Sequence, residues 1–455
     1  MTTSQPSLRL FGTDGIRAPF GTFPLDEQTV SRIGYHLGQM LREETPDPLV
    51  ILGGDTRRST EPLCDWIAAG LRHAGALACF GGTLPTPAIA FLVRQRGAAA
   101  GVAVSASHNL LPDNGIKLFD HLGFKWQEPA EEALEARLFS HPDQVEIPSP
   151  TKLEVDASLA EEYRNALEQP SALEHLSFDG MTFVIDAANG AASPFAAKVF
   201  RDLGAVVVSL HVRPDGNNIN LECGSTHPEA MARAVVEAGA DLGIAFDGDA
   251  DRALFADEKG VVRDGDAALY LWACHLNRSG LLEPPKIVAT SMSNLGLERA
   301  LEGASIELVR CGVGDRTVVN TMLEAGISLG GEQSGHIVDL RHSTTGDGLA
   351  TALQVASIVA KEGRPLSELL ASFVRFPQVL INVKVRSKPP LESLPSVAAV
   401  AHEVAVQLGN RGRLVLRYSG TEPLARVMIE GEDQNEIDEL ASNLIEAIRQ
   451  EIGAD

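Results

Sequence analysis

A chain of 455 residues, 44% hydrophobic and 22% charged, exceeds one ordinary core and divides into roughly three or four domains. That composition excludes long-range disorder. The formal net charge of −23 and pI near 4.9 exclude a nucleic acid or an anionic membrane as a partner of the average field, so an anionic small substrate must be met by local arginines and lysines.

In chain order, "PLVILGG" reads as a strand, "STEPLCDWIAAGLRHAG" as an amphipathic helix, "ALACFGG" as a strand, "TPAIAFLVRQRG" as a helix and "GVAVSAS" as a strand. The rhythm restarts with "MTFVIDAANG", "SPFAAKVFRDLG", "AVVVSLH", "PEAMARAVVEAG" and "ADLGIAFDGD". It restarts again with "KIVATSMS", "NLGLERALEG", "SIELVRCG", "DRTVVNTMLEAG" and "ISLGGEQSGH", followed by a helix through "GDGLATALQVASIVAKEG". Each cycle predicts a mainly parallel sheet covered by helices. The final part differs: strand "QVLINVKV", helix "SLPSVAAVAHEVAVQLG", the strand pair "RLVLRYSG" and "LARVMIEG", and helix "EIDELASNLIEAIRQEIG". The expected fold is thus three mixed α/β domains, 1–153, 154–257 and 258–373, and a fourth α+β domain, 374–455.

The five cysteines (Cys64, Cys79, Cys223, Cys274, Cys311) are scattered and form no Cys-x-x-Cys pair, which fits reduced thiols in a cytoplasmic protein. The opening residues hold no apolar core of a secretory signal, and no apolar run approaches the roughly 18 residues of a membrane helix.

In open α/β sheets, ligands bind beyond the carboxyl ends of the strands. Three unusual loops lie there. "VAVSASHNLLPDNGIKLF" sets Ser105, Ser107 and His108 after an apolar strand, with Lys117 ten positions beyond Ser107, but lacks the Gly-x-Ser-x-Gly elbow of hydrolases. "FDGDADR" places Asp247, Asp249 and Asp251 on a short segment ending in Arg252. Three such carboxylates repel one another, and a hard divalent cation, Mg²⁺ foremost, removes the conflict. An EF-hand reading fails because its glycine position is Arg252 and strands flank the loop. A rival is an aspartyl phosphotransferase of the haloacid dehalogenase type acting through Asp247. "GGEQSGH" sets Glu332, Gln333, Ser334 and His336 on a glycine-rich turn suited to sugar hydroxyls or an amine, although an ordinary polar hairpin reads the same way.

"RYSGTEPLAR" gathers Arg417, Ser419, Gly420, Thr421 and Arg426 into a candidate phosphate cradle, and "FGTDGIR" offers a weaker one with Thr13 and Arg17. "CGVGDR" adds Arg316 as a further anion contact; "DAANGAAS" lacks dinucleotide-binding spacing and reads as a strand-to-helix turn. Together these loops favour phosphorus over carbonyl carbon as the electrophile, with a metal neutralising phosphoryl oxygens and a lysine taking the proton.

The ordered set "FGTDGIR", "SASHN…DNGIKLF", "DGDADR", "MSNLGLE", "VGDR", "GGEQSGH", "TTGDG" and "SGTEPLARVMIEG" resembles the α-D-phosphohexomutases over essentially the whole chain. The resemblance implies four domains around a central cleft and a phosphoserine at Ser107, beside His108. It implies Mg²⁺ held by Asp247, Asp249, Asp251 and that phosphoserine, Lys117 as general acid/base with Arg252 next to it, sugar contacts from Glu332, Ser334 and His336, and a phosphate grip at Arg417, Ser419, Gly420 and Thr421. The implied reaction converts glucosamine 6-phosphate to glucosamine 1-phosphate through a 1,6-bisphosphate, feeding UDP-N-acetylglucosamine synthesis. Glucose or glucosamine mutase activity and mannose mutase activity differ little in this machinery; Gln333, where hexose mutases often show methionine, resembles the glucosamine enzymes. Priming would come from glucose or glucosamine 1,6-bisphosphate or from a separate kinase, and a homodimer is compatible with the resemblance. Leu110 departs from the usual proline, and Tyr418 from smaller residues, lysine or proline. A phosphohexomutase, an Asp247 phosphotransferase and a non-catalytic sugar-phosphate binder therefore stand as three readings; mere binding does not require serine, lysine, metal triad and phosphate loop together.

Overall fold

A computed structural model describes residues 9–140, 146–168, 176–419 and 422–454. The first sheet contains β1 (Phe11–Gly12), β2 (Gly15–Pro19), β3 (Leu49–Gly54), β4 (Leu77–Thr83), β5 (Ala100–Val104) and β6 (Asp113–Phe119) in the order β1-β2-β6-β5-β3-β4. The second contains β7 (Thr182–Asp186), β8 (Val206–Leu210), β9 (Leu242–Phe246), β10 (Ala253–Ala256) and β11 (Val262–Arg263) in the order β11-β10-β9-β7-β8. The third contains β12 (Lys286–Thr290), β13 (Glu307–Cys311), β14 (Leu329–Gly331) and β15 (Ile337–Asp339) in the order β13-β12-β14-β15. The last contains β16 (Gln378–Lys384), β17 (Gly412–Tyr418) and β18 (Leu424–Gly431), all antiparallel, with β18 central.

The first three sheets share one internal pattern. Three parallel strands (β4-β3-β5, β8-β7-β9, β13-β12-β14) are each followed by one strand that turns back antiparallel, namely β6, β10 or β15. The central strands AGVAV and LGIAF are buried at every residue, as expected of sheets covered on both faces. The returning strands differ from the mainly parallel expectation for a physical reason. β6 begins Asp-Asn-Gly, a poor strand former, and β15 has three residues, too few for an alternation to register.

The repeat decides where chemistry can sit. In each unit the loop joining the third parallel strand to the returning strand emerges at the carboxyl edge: residues 105–112, 247–252 and 332–336. A continuous apolar core runs through all three units, and the helix Ala157–Glu168 packs Leu159, Tyr163 and Leu167 into it from both the first and second units. The last sheet keeps a separate core against the helices Pro395–Leu408 and Gln434–Ile452. Among the described residues, no helix is long and apolar enough to cross a membrane.

Polar contacts dock the last sheet. Asn294 donates to Phe376 O (3.1 Å) and Glu430 Oε1 (3.1 Å), and accepts from the Phe376 N–H (2.9 Å). Arg413 donates to Glu430 (2.5 Å) and to Ser293 O (2.5 Å). Asn294 is fully buried, so Asn294→Ala leaves Glu430 and both Phe376 backbone groups short of a partner, at about 1–3 kcal/mol for a buried group. In scanning calorimetry Asn294→Ala is expected to unfold the last domain about 4–20 °C earlier; an unchanged transition would contradict this docking role.

Candidate active site

Ser107 is buried and has a φ of +51°, a left-handed conformation that costs a non-glycine residue roughly 1–2 kcal/mol. The surrounding contacts impose it. Its N–H donates to Ser105 Oγ (2.9 Å), and Ser105 Oγ donates to Asp55 (2.5 Å). Its carbonyl accepts from Asn220 Nδ2 (2.8 Å) and from Arg57 (3.3 Å). Arg57 also donates to Asn109 O (2.6 Å) and Asp113 O (3.0 Å), and pairs with Asp55 at 2.9 Å, both side chains wholly buried. Asp55, Arg57 and Asn220 escaped the sequence reading; the available signal was the charged "GGDTRRST" directly after a buried strand.

The second loop meets the first through glycine. A Cβ on Gly248 would stand 2.5 Å from Ser107 O, so only glycine admits this approach. Ser107 Oγ then donates to Asp247 Oδ2 at 2.7 Å. Asp247, Asp249 and Asp251 are all buried, with ligand oxygens within 4.8 Å of one another. Burial, then Asp251 and Asp249, pushes the Asp247 carboxyl well above its ordinary range. Burial acts the same way on Asp251, but Lys117, His336 and Arg252 outweigh it and hold that group low. Asp249 Oδ1 and Asp251 Oδ1 are buried without a hydrogen-bond partner among the described residues. Orphaned carboxylate oxygens in an all-oxygen cluster fit a hard divalent cation such as Mg²⁺.

Lys117, on β6 and almost wholly buried, reaches Asp249 (2.9 Å), Asp14 (3.2 Å) and Asp251 (3.4 Å). Burial lowers its pKa, yet Asp14, Asp249 and Asp251 together raise it well above the usual lysine range. It is therefore held as an ammonium. His108 stands with Nδ1 3.4 Å from Ser107 Oγ. Burial, then Arg252 and Arg17, pushes His108 down to about 4, so its ring is neutral near pH 7. Arg17 pairs with Asp14 (2.7 Å) and donates to Ala106 O (2.5 Å), bracing the serine loop. Asp14 pairs also with buried Lys125 (2.5 Å), which pairs in turn with Asp315.

In the third loop the Glu332 N–H donates to His336 O (2.9 Å) and closes the turn, with Gly335 at φ +93°. Ser334 Oγ donates to Glu332 Oε2 (3.3 Å), and Glu332 Oε1 accepts the Gly314 N–H (3.1 Å). Buried His336 accepts the Gly346 N–H at Nε2 (3.0 Å), which assigns its proton to Nδ1, 3.6 Å from Asp251. Burial lowers the His336 pKa, but Asp251 dominates and raises it. Gln333 takes a different partner: its Nε2 donates to buried Asp266 (3.2 Å). Arg252 lies 3.6 Å from Asp251, and its backbone N–H donates to Asp247 (3.2 Å). Burial disfavours its charge, while Asp251, Asp247 and Glu332 more than compensate.

On the last sheet Arg417 pairs directly opposite Arg426, an arrangement of like charges that an anion would relieve. Burial, then Arg426, lowers the Arg417 pKa. Arg426 reaches Ser419 Oγ (3.4 Å) and Glu422 (3.2 Å) and keeps a buried Nε without a partner among the described residues. Gly420 and Thr421 lie outside the described residues. Lys388, not foreseen, donates to Ser419 O (2.7 Å), and Tyr418 donates its hydroxyl to Pro389 O (2.7 Å), so the departure at this position anchors the turn. Leu110 is half exposed. Ser107, Lys117, Arg252, His336 and the three aspartates thus form one connected network, whereas Arg417, Ser419 and Arg426 form a second cluster with no direct bond to it among the described residues.

Four family models match consecutive parts of the chain: phosphoglucomutase/phosphomannomutase alpha/beta/alpha domain I over 8–144, domain II over 161–260, domain III over 264–376, and the C-terminal domain over 380–447. The chain belongs to the phosphoglucomutase/phosphomannomutase family. Within it, the chain is 43% identical over 444 residues to a phosphoglucosamine mutase of Solibacter usitatus, covering 98% of this chain and 99% of that one. It is 44% identical over 460 residues to one of Koribacter versatilis, covering 99% of each. Among solved structures, a phosphoglucomutase/phosphomannomutase family protein of Burkholderia thailandensis superposes with a TM-score of 0.80 at 24% identity, covering 97% of each chain. The Aspergillus fumigatus N-acetylphosphoglucosamine mutase in complex with GlcNAc-6P and magnesium superposes with a TM-score of 0.65 at 18% identity, covering 98% and 96%. Both share the family's four-domain fold.

The charge cluster makes a testable demand. In EDTA, Asp247→Asn removes one of three crowded carboxylates and is expected to raise Tm by about 2 °C or more. Adding Mg²⁺ should raise Tm in the wild type and leave the variant nearly unmoved. A variant less stable than wild type in EDTA would contradict the repulsion argument.

Proposed function

We propose that this protein catalyses the reversible conversion of glucosamine 6-phosphate to glucosamine 1-phosphate, an intramolecular phosphoryl transfer through a phosphoserine at Ser107 and a 1,6-bisphosphate. The observation that carries the reading is the left-handed, buried Ser107, whose Oγ sits 2.7 Å from Asp247 in the aspartate cluster that the Lys117 ammonium enters through Asp249. A serine held so tightly returns to one position after each half-reaction, as repeated in-line transfer requires.

In the forward direction, the O1 hydroxyl of the sugar attacks phosphorus on Ser107. The new O1–P bond forms, the Ser107 Oγ–P bond breaks, and Oγ takes up a proton while O1 loses one. After the bisphosphate turns over in the cleft, Ser107 Oγ attacks the phosphorus at O6 and loses its proton, the Oγ–P bond forms, and the O6–P bond breaks with a proton delivered to O6. Lys117 is the ammonium placed to donate that proton, and neutral His108 lies within reach of Oγ. Glu332 and Ser334, already bonded to each other, offer paired groups to vicinal sugar hydroxyls, while Arg417, Ser419 and Arg426 would grip the phosphate that is not being transferred. Mg²⁺, held by Asp247, Asp249 and Asp251 with Ser107, would supply neutralisation of the phosphoryl oxygens.

Relatives named phosphoglucosamine mutase, 43–44% identical over nearly the whole chain, support the glucosamine substrate. Gln333 would act on that choice through the position of its loop, since its amide is bonded to Asp266. We further propose priming by glucose or glucosamine 1,6-bisphosphate or by a kinase, assembly as a homodimer, and residence in the cytoplasm, where the five free cysteines stay reduced.

Two assays test this reading. Ser107→Ala is expected to lower kcat by more than about 10³-fold with the fold retained, and Lys117→Gln by about 10²-fold or more. Among glucosamine, glucose and mannose phosphates, kcat/KM is expected to be highest for glucosamine phosphate. Turnover that survives Ser107→Ala would overturn the mechanism, and equal or greater kcat/KM on glucose or mannose phosphate would overturn the substrate.

A further inference from the structure

One buried carboxylate lies between the third loop and the last domain. Asp266, at the start of the helix Gly265–Arg278, is wholly buried, and its Oδ2 accepts from two segments: the Asn294 backbone N–H (2.7 Å) and Gln333 Nε2 (3.2 Å). The Gly265 N–H donates to Gln333 O (3.0 Å), so Gln333 is held to this helix start by both its backbone and its side chain. Gln333 stands between Glu332 and Ser334, the two residues proposed to meet the sugar hydroxyls.

The Asn294 side chain faces the last domain, bonded to Phe376 and Glu430, and the neighbouring Leu295 N–H donates to Glu430 Oε2 (3.2 Å). Glu430 sits opposite Arg413 on β18 and β17, and four positions along the same two strands Arg426 sits opposite Arg417. Side chains alternate along a strand with a period of two, so the Arg413–Glu430 pair and the two arginines share one face of the hairpin. An unbroken run of contacts, Gln333–Asp266–Asn294–Glu430–Arg413, therefore joins the sugar loop to the strands that carry the proposed phosphate grip. The surrounding charges are otherwise engaged: Asp264 pairs with Arg375 (3.4 Å) and Glu430 with Arg413 (2.5 Å), while no cation pairs with Asp266 among the described residues. Burial, then Asp264, pushes the Asp266 carboxyl up to about 7, and its Oδ1 has no hydrogen-bond partner among the described residues. Asp266 thus supplies one acceptor oxygen between two segments more than it supplies a charge, and the amide of asparagine supplies the same oxygen.

We propose that Asp266 is a positioning residue for the mutase reaction: by tying Gln333 to Asn294 it fixes the Glu332–Ser334 segment relative to the docked last domain, so that the sugar and the phosphate not being transferred are gripped at one spacing. This rests on the reading given under the proposed function. Asp266 lies outside the reacting groups, so cutting the link weakens substrate and transition state alike, which raises KM and leaves kcat in place.

The test is steady-state kinetics of the full chain on glucosamine 6-phosphate, primed with glucose 1,6-bisphosphate. Asp266→Leu, which has no acceptor, is expected to raise KM by about tenfold or more with kcat within about threefold of wild type, the retained kcat showing that the variant folds. Asp266→Asn is expected to keep KM within about threefold of wild type. Asn294→Ala and Gln333→Leu cut the link at its two ends without altering Asp266, and each should raise KM by about threefold or more; the double variant should be no worse than the poorer single one, to within about twofold. An unmoved KM in Asp266→Leu, an equal rise in Asp266→Asn, or multiplying effects of Asn294→Ala and Gln333→Leu would each overturn this proposal while wild-type turnover leaves the proposed function standing. Absence of turnover in the wild type would overturn the proposed function and this inference with it.

Discussion

Three carboxylates buried with their oxygens within 4.8 Å of one another make the heaviest electrostatic demand in this molecule. Water cannot screen them, so protein charges must, and a divalent cation would complete the compensation. Lys117 crosses from the first sheet to meet Asp249 and Asp251, His336 comes from the third to face Asp251, and Arg252 closes the set from the loop itself. Each of the three α/β units contributes, and none could carry the chemistry alone. Asp247 remains the least compensated member and is also the one bonded to Ser107, so the strain of charge burial is placed beside the serine proposed to receive a phosphoryl group.

The repeated topology makes this convergence achievable. Turning back the strand after each parallel set puts a short loop at the same edge of every unit, and glycines let those loops touch. Gly248 admits the Ser107 carbonyl, and a Cβ on Gly335 would stand 2.4 Å from Ala253 O at the end of the second loop. The last domain follows a different rule, with its own core and a polar seam around Asn294 and Glu430. Its Arg417 and Arg426 stand directly opposite one another, with Glu422 pairing Arg426, and this is where we propose that the phosphate not being transferred is gripped.

Much of this could be read before any coordinates, and the reason is local. Ser107 and the Asp247–Asp251 segment directly follow apolar runs that can only be buried strands, so their polar character stands out. Arg57 and Asn220 were invisible because their meaning lies in carbonyl groups of the serine loop, supplied by residues about 50 and 113 positions away. Gln333 carries the likeness to the glucosamine enzymes in sequence, but its bond to Asp266, 67 residues earlier, is not legible there. The returning strands were missed where they begin with turn-forming residues, as β6 does, or are too short to show a period, as β15 is. Sequence patterns report burial along one segment; they do not report which distant segment completes a hydrogen bond.

The central claim is that Ser107, and not a carboxylate of the metal loop, carries the phosphoryl group. The direct measurement is to incubate the full chain with glucose 1,6-bisphosphate carrying a labelled phosphate, treat it with hydroxylamine, and locate the label by peptide mass spectrometry. The account predicts hydroxylamine-resistant label on Ser107. Label on Asp247, released by hydroxylamine as an acyl phosphate would be, contradicts it.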